Sequence, residues 1–279
     1  MNKKLSFLVL LVLTLVSCSG IPTEDESSFE LPEVVLLATD TPPPAPTTPP
    51  FSAETQRVEF NAEDGTTLIG YYYPAPVVNA PVVVLMHWAP GDQKDWTNIG
   101  MVDWLTHKKL DGFAGEFPSM PYAVFTFDFR GFGESGGQFD PAGWLMDAKA
   151  AYETAQSLPG IDPTKIAGIG SSIGADAVVD ACGNICKGAL SLSPGGYLNI
   201  PYKEAVALFN QNTTNRVNIR CIASEGDRES APACQSATGE FYESVIYPGN
   251  LHGTEFLTPN SLQTEITRTI SEWLATALE

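Results

Sequence analysis

Ile169-Gly170-Ser171-Ser172-Ile173-Gly174-Ala175 is the stretch on which the reading of this chain turns. It is a G-x-S-x-G string placed directly after the apolar run Ile166–Gly170 and directly before a helical candidate, Ser172–Ala181. That context is what a nucleophile elbow requires. The strand-to-helix turn is so tight that side chains two residues either side of the serine would clash, hence Gly170 and Gly174. It lifts the Ser172 hydroxyl above the strand end and leaves helix N-terminal N–H groups free to meet a developing anion.

Outward from the elbow, strands and helices alternate. Arg57–Asn61 and Thr67–Tyr73 are β-rich around Asp64-Gly65, a hairpin turn. Pro81–Met86 and Tyr122–Asp128 are continuous apolar runs, as expected of strands covered on both faces. Gly188–Leu192, Val217–Ser224 and Ser244–Tyr247 extend the series. Helical candidates lie between them at Trp96–Thr106, Pro141–Ser157 (with Asp140 as N-cap), Pro201–Asn210 and Ser261–Leu278 (with Ser261 as cap). The pattern predicts one α/β domain over residues 53–279, with a mostly parallel central sheet and helices on both faces.

A serine hydroxyl needs a base to take its proton. The chain has three histidines, His87, His107 and His252. His252 lies in Gly249-Asn-Leu-His-Gly253, between the last strand and the last helix, where the chain order Ser, acid, His places the base. His107 sits at a helix end, where a cation suits the helix dipole, and His87 ends a strand and shapes a loop. The acid is expected in Ile222-Ala-Ser-Glu-Gly-Asp-Arg228. Asp227 is preferred because Gly226 lets the loop turn it toward His252, with Glu225 as the alternative. It would hold the imidazole tautomer and offset the imidazolium charge.

On these residues the body resembles the α/β-hydrolase superfamily from about Arg57 onward. Phe127-Asp-Phe-Arg-Gly-Phe-Gly-Glu-Ser-Gly136 is similar to the strand-four signature of its esterase, serine-aminopeptidase and dienelactone-hydrolase-like branches. The resemblance implies an oxyanion hole built from the Ile173 N–H and from Ala89, two residues after His87. The glycine usual after that histidine is replaced by Trp88, so the donor could fall on either residue. Trp88 could also wall the acyl pocket or simply pack. The implied activity is a serine hydrolase that cleaves a small carboxylic ester through an acyl-enzyme, without a cofactor or metal. A serine aminopeptidase or peptide hydrolase, and a non-catalytic binding protein on the same scaffold, are the competing readings. Members that bury their substrates usually insert a helical cap after the sixth strand. Residues 193–216 leave room for one helix, so an open, uncapped site is expected. Lys108–Pro121 is long for its connection, about 2–6 residues being usual, and either overhangs the cleft or packs on the surface.

The charge balance excludes a nucleic-acid partner. There are 33 acidic and 15 basic residues, a formal charge of −18, and no Lys/Arg cluster in the body beyond Lys108-Lys109. The first fifty residues differ from the rest. Lys3-Lys4 and the apolar Leu5–Val16 have the form of a signal peptide, the run falling short of the ~20 helical residues that span a bilayer. Leu15-Val16-Ser17-Cys18 resembles a bacterial lipobox. The expectation is a signal over 1–17, lipidation of Cys18 and membrane anchoring of an exported protein. Residues 18–52 hold eight prolines, six acids and no Lys or Arg, and read as a semi-rigid spacer. Cys182, Cys186, Cys221 and Cys234 form an even set consistent with export, and short loops favour Cys182–Cys186 and Cys221–Cys234. Their spacing lacks the paired C-x-x-C knuckles of a zinc site. The sequence assigns no oligomeric state.

Overall fold

The computed structural model describes residues 52–108, 111–211 and 215–278. The signal, lipobox and most of the spacer lie outside the described residues. Eight strands form one sheet: β1 (Gln56–Asn61), β2 (Thr67–Tyr73), β3 (Ala80–Met86), β4 (Ala123–Phe127), β5 (Ile161–Ser171), β6 (Gly188–Leu192), β7 (Asn218–Ser224) and β8 (Tyr242–Tyr247). Their spatial order is β1-β2-β4-β3-β5-β6-β7-β8. The β1–β2 and β2–β4 pairs are antiparallel, and every pair from β4 to β8 is parallel.

The continuous apolar runs follow from two covered faces. Val82, Val84 and Met86 of β3 face one core, while Val83 and Leu85 face the other. The first core is closed by α3 (Trp144–Ala155), α4 (Ile173–Asp180), α5 (Tyr202–Asn210) and α6 (Ser230–Ser236). The second is closed by α1 (Lys94–Asn98), α2 (Met101–Leu105) and α7 (Gln263–Leu278), with a 3₁₀ turn at Gly253–Leu257. Register aligns the strand ends. Met86 pairs with Phe127 and with Gly170, Ser171 with Leu192, and Leu192 with Ile222. The residues that leave β3, β5, β6, β7 and β8 therefore converge along one edge, where open α/β sheets bind ligands.

Several elements differ from expectation. The helix expected over Trp96–Thr106 is two helices broken at Gly100, whose φ is 81° and whose added Cβ would lie 2.1 Å from the Asp111 carbonyl oxygen. Apolar periodicity runs through the break, but the backbone cannot. The helix expected from Pro141 starts at Trp144, because Asp140 closes a turn instead: its carbonyl accepts the Gly143 N–H and its carboxylate the Ala142 N–H. Ser261 does not cap α7. Its hydroxyl donates backward to the Phe256 and Thr258 carbonyls. The segment 111–121 packs beside α7, with Gln263 and Thr267 bonded to the backbone of Gly112 and Ala114. Among the described residues the β6–β7 connection holds the single helix α5, so no multi-helix cap stands over the edge. The structure joins Cys182 to Cys186 and Cys221 to Cys234, with Cα separations of 5.1 and 5.6 Å.

Candidate active site

Ser172 leaves β5 with φ 54° and ψ −114°, a conformation that costs a non-glycine residue on the order of 1–3 kcal/mol and is retained only where the surroundings enforce it. The enforcing contacts are local. An added Cβ on Gly170 would lie 1.9 Å from the Gly174 carbonyl oxygen, and one on Gly174 would lie 2.2 Å from that of Met86. Only glycines allow α4 to come so close to the ends of β5 and β3. The Ser172 N–H is anchored on the Leu192 carbonyl at 2.9 Å, and its own carbonyl accepts the Ala175 N–H at 2.8 Å to begin α4. The side chain is left at the cleft floor, with 8% of the residue exposed.

Asp227 and His252 meet across the ends of β7 and β8. His252 Nδ1 lies 2.7 Å from Asp227 Oδ2. The other carboxylate oxygen accepts the N–H groups of Glu229 and Ser230, capping the first turn of α6 and fixing the orientation of the acid. Burial opposes ionisation of Asp227, but hydrogen bonds to His252 and Ser230 outweigh it and hold the carboxyl below its ordinary range. Glu225 is exposed and, among the described residues, makes no contact of this kind; its N–H goes to the Tyr247 carbonyl. Gly226 matters through space rather than through conformational freedom. An added Cβ there would fall 1.8 Å from Asn250 Oδ1 and 2.7 Å from the Gly249 carbonyl oxygen, so its absence lets the acid loop and the histidine loop touch.

Two serines hold the histidine loop down. Ser193 Oγ accepts the Gly253 N–H at 2.9 Å and Ser171 Oγ accepts the Thr254 N–H at 3.1 Å. Ser193, like Ser172, is a non-glycine residue at positive φ, 59°, so strain collects on both sides of the cleft.

His87 is a clamp. Fully buried, it bonds the Trp88 carbonyl through Nδ1 at 2.6 Å and accepts the Phe129 N–H on Nε2 at 3.0 Å, an arrangement that needs the neutral ring with its proton on Nδ1. Burial accordingly drives its pKa down to about 4. The clamp fixes Trp88 and Ala89 at the mouth of β3, beside the start of α4. Trp88 Nε1–H donates to Asp95 Oδ2 at 2.7 Å, and the residue lines a cleft of about 110 Å³ with Ser171, His252, Thr254 and Glu255. No protein acceptor among the described residues takes the N–H of Ile173 or of Ala89.

The Phe127–Gly136 signature serves the scaffold. Asp128 accepts the N–H groups of Gln93 and Glu134, both at 2.8 Å, tying the β4 loop to the β3 loop. Arg130, 5% exposed at its side chain, bridges the fully buried Asp147 and the hairpin residue Asp64.

One site residue has no sequence signal. Tyr197, four residues past Ser193, lies on the loop that leaves β6, the strand whose last carbonyl takes the Ser172 N–H. Its own N–H donates to Asp176 Oδ2 at 2.7 Å, an oxygen that also takes the N–H groups of Gly195 and Gly196 at 3.3 and 2.9 Å. Among the described residues no group of His, Cys, Asp and Glu side chains is gathered as a metal site.

No protein-family model matches the chain. Among curated proteins it is 33% identical to the uncharacterised protein YfhR of Escherichia coli K12 over 139 residues, 48% of this chain and 43% of that one. It is 31% identical to the quorum-quenching protein AidA of Acinetobacter baumannii over 131 residues, 46% of this chain and 39% of that one. The match thus spans less than half the length of these relatives. Among solved structures, an esterase of Pyrococcus furiosus superposes with a TM-score of 0.60 at 17% identity, covering 81% of this chain and 94% of that one. A thermostable carboxylesterase from a metagenomic library, EstE1, gives 0.58 at 16% identity, covering 81% and 90%. A protein of unknown function from Agrobacterium tumefaciens, described as resembling the α/β hydrolases, gives 0.57 at 19%, covering 80% and 98%. The chain has the α/β-hydrolase fold.

Proposed function

We propose that the protein is a serine hydrolase that cleaves small carboxylic esters through an acyl-enzyme, with Ser172, His252 and Asp227 as its triad. The observation that carries this reading is the strained Ser172 at the strand-to-helix elbow, on the same sheet edge as a carboxylate-bound imidazole. With Asp227 on Nδ1, the free nitrogen of His252 is Nε2, the one that accepts a proton. Ser172 Oγ attacks the ester carbonyl as its proton passes to His252. The Ile173 N–H and a second donor from the Trp88–Ala89 turn hold the oxyanion. His252 then protonates the departing alcohol, and a water activated the same way releases the acid.

Ester cleavage is favoured over amide cleavage because a leaving alkoxide demands less protonation than an amine. The open strand edge, with one helix in the β6–β7 connection, suits a small substrate that enters from solvent. Hydrolysis of a p-nitrophenyl ester series by the purified protein and by Ser172→Ala tests the proposal. Activity that disappears in the variant is expected. Absence of both turnover and fluorophosphonate labelling in the native protein would favour a non-catalytic binding role.

We further propose export and tethering through Cys18, with residues 18–52 as the spacer. The two disulfides are consistent with an oxidising compartment, and among the described residues no helix is long and apolar enough to cross a membrane. Incorporation of a labelled fatty acid that Cys18→Ala abolishes, with release of the variant from membranes, is the expected result.

A further inference from the structure

The cleft beside His252 contains a carboxylate that the scheme above does not use. About 110 Å³ in volume, the cleft is lined by Trp88, Ser171, His252, Thr254 and Glu255. That is room for roughly four groups the size of a water molecule, at ~30 Å³ each. It therefore takes one small substituent of a substrate held at the base.

Two of its walls are fixed by contacts of their own. Glu255 belongs to the 3₁₀ turn, three residues after His252, and its Oε2 accepts the His252 N–H at 2.8 Å. That bond holds the carboxylate at the cleft while the residue stays exposed, and among the described residues Oε1 takes no donor. Trp88, half-buried, is held by its indole N–H, which donates to Asp95 Oδ2 at 2.7 Å. Gly91 makes room for that lock: an added Cβ would lie 2.1 Å from Asp95 Oδ2 and 2.4 Å from Trp88 Nε1. Among the described residues no Lys or Arg lines the cleft.

An aromatic wall, a carboxylate with a free oxygen and the lack of a fixed cation are what attracts an ammonium group. We propose that this cleft is a subsite for a small alkylammonium substituent on the ester, and that Glu255 and Trp88 set the preference for it. The inference rests on the serine-hydrolase reading and names its substrate class. The ammonium makes and breaks no bond, and acyl transfer proceeds as above. Its charge still bears on the reaction, because His252 becomes an imidazolium as it takes the Ser172 proton. An unpaired ammonium in the same cleft would oppose that second cation. Paired with Glu255, it presents no net charge to the ring. The carboxylate thus serves KM by holding the substituent and kcat by cancelling its field.

The test compares each cationic ester with a neutral ester of similar shape. Glycine ethyl ester against ethyl propanoate places the ammonium on the acyl side; propanoylcholine against 3,3-dimethylbutyl propanoate places it on the alcohol side. Each ratio of kcat/KM is divided by the ratio for hydroxide-catalysed hydrolysis, which removes intrinsic reactivity. Measurement in about 150 mM NaCl largely screens charges beyond ~8 Å. The native chain is expected to prefer the cationic member of at least one pair by about 5- to 30-fold, the range of a partly exposed ion pair joined to a cation–π contact. Glu255→Gln keeps an oxygen for the His252 N–H and removes the charge. It should lower that ratio by about threefold or more, with kcat for the cationic ester falling as its KM rises. Glu225→Gln, on the exposed part of the Asp227 loop, should leave the ratio in place. A native ratio near one, a ratio that Glu255→Gln does not change, or one that Glu225→Gln lowers as far, overturns the proposal and leaves the triad standing. A native chain that neither turns over the neutral esters nor labels with a fluorophosphonate overturns the triad reading, and this inference falls with it.

Discussion

At the scale of single residues, the molecule carries a carboxylate with no hydrogen-bond partner among the described residues, and Lys149 offsets its burial only in part. Asp180 is the last residue of α4, and neither of its side-chain oxygens has a hydrogen-bond partner although both are buried. Burial, with the Asp176 charge behind it, raises its pKa from 3.8 to about 8. A raised folded-state value means that the native protein binds the extra proton. The benefit is complete below about pH 4 and is lost as pH rises through about 8. Asp180→Asn removes the charge at nearly constant shape. The expected result is a higher melting temperature than native at pH 9, with the difference vanishing near pH 4. An equal gain at both pH values would show that the carboxylate is not the cause. Gly226 gives a second prediction. In Gly226→Ala the methyl would overlap Asn250 Oδ1 and crowd the Gly249 carbonyl, so the acid loop and the histidine loop must part. Ester turnover should fall by about tenfold or more, consistent with the sensitivity of catalysis to ~1 Å misplacement, while circular dichroism stays native.

At the scale of elements, the question is what holds three loops from three strands in one geometry. Ser171 ends β5 and pins the histidine loop through Thr254, and the Cys221–Cys234 bond joins β7 to α6 with the Asp227 turn enclosed between them. Closing a loop with a sequence separation of 13 is worth about 3 kcal/mol by chain entropy. Paired Cys221→Ser and Cys234→Ser substitutions should therefore lower the denaturant midpoint, and ester turnover with it, because the freed segment carries the acid. A variant that loses stability but keeps full turnover would assign the bond to the scaffold alone. These elements also show what the sequence made legible. The elbow could be read because its constraint is local: Gly170, Ser172 and Gly174 act within one strand–turn–helix. Asp227 and His252 could be named because they follow strands in a recognisable order, although Gly226 acts by yielding space rather than by bending. Tyr197 could not be found that way. Its position depends on Asp176, 21 residues earlier in the chain, collecting N–H groups from a loop whose sequence reads only as a turn. The short α6, with Pro232 inside it, has too little periodicity to announce a helix, and its existence depends on the Asp227 cap and the disulfide.

At the scale of the whole molecule, charge is the dominant asymmetry. With 33 acidic against 15 basic residues the chain repels itself, while its best-buried ion pair, Arg130 with Asp147, is shielded from salt by its burial. Raising NaCl from about 10 mM to about 150 mM shortens the screening length from roughly 30 to 8 Å. Repulsion among surface acids is thus removed with little loss of the buried pair, and the melting temperature should rise. The same field bears on catalysis. Asp227 is the carboxylate of the triad, and Glu229 lies beside Tyr197 on the same edge of the sheet, so an approaching anion meets negative potential at the nucleophile. An ester with a free carboxylate on its acyl chain should show a lower kcat/KM than its neutral isostere, and the gap should narrow as salt is added. Glu229→Gln should close part of that gap at low salt while leaving the neutral ester unaffected, because its side chain acts on the approaching charge and not on the reacting bond. A gap that does not respond to salt would mean that shape, rather than charge, rejects the anion.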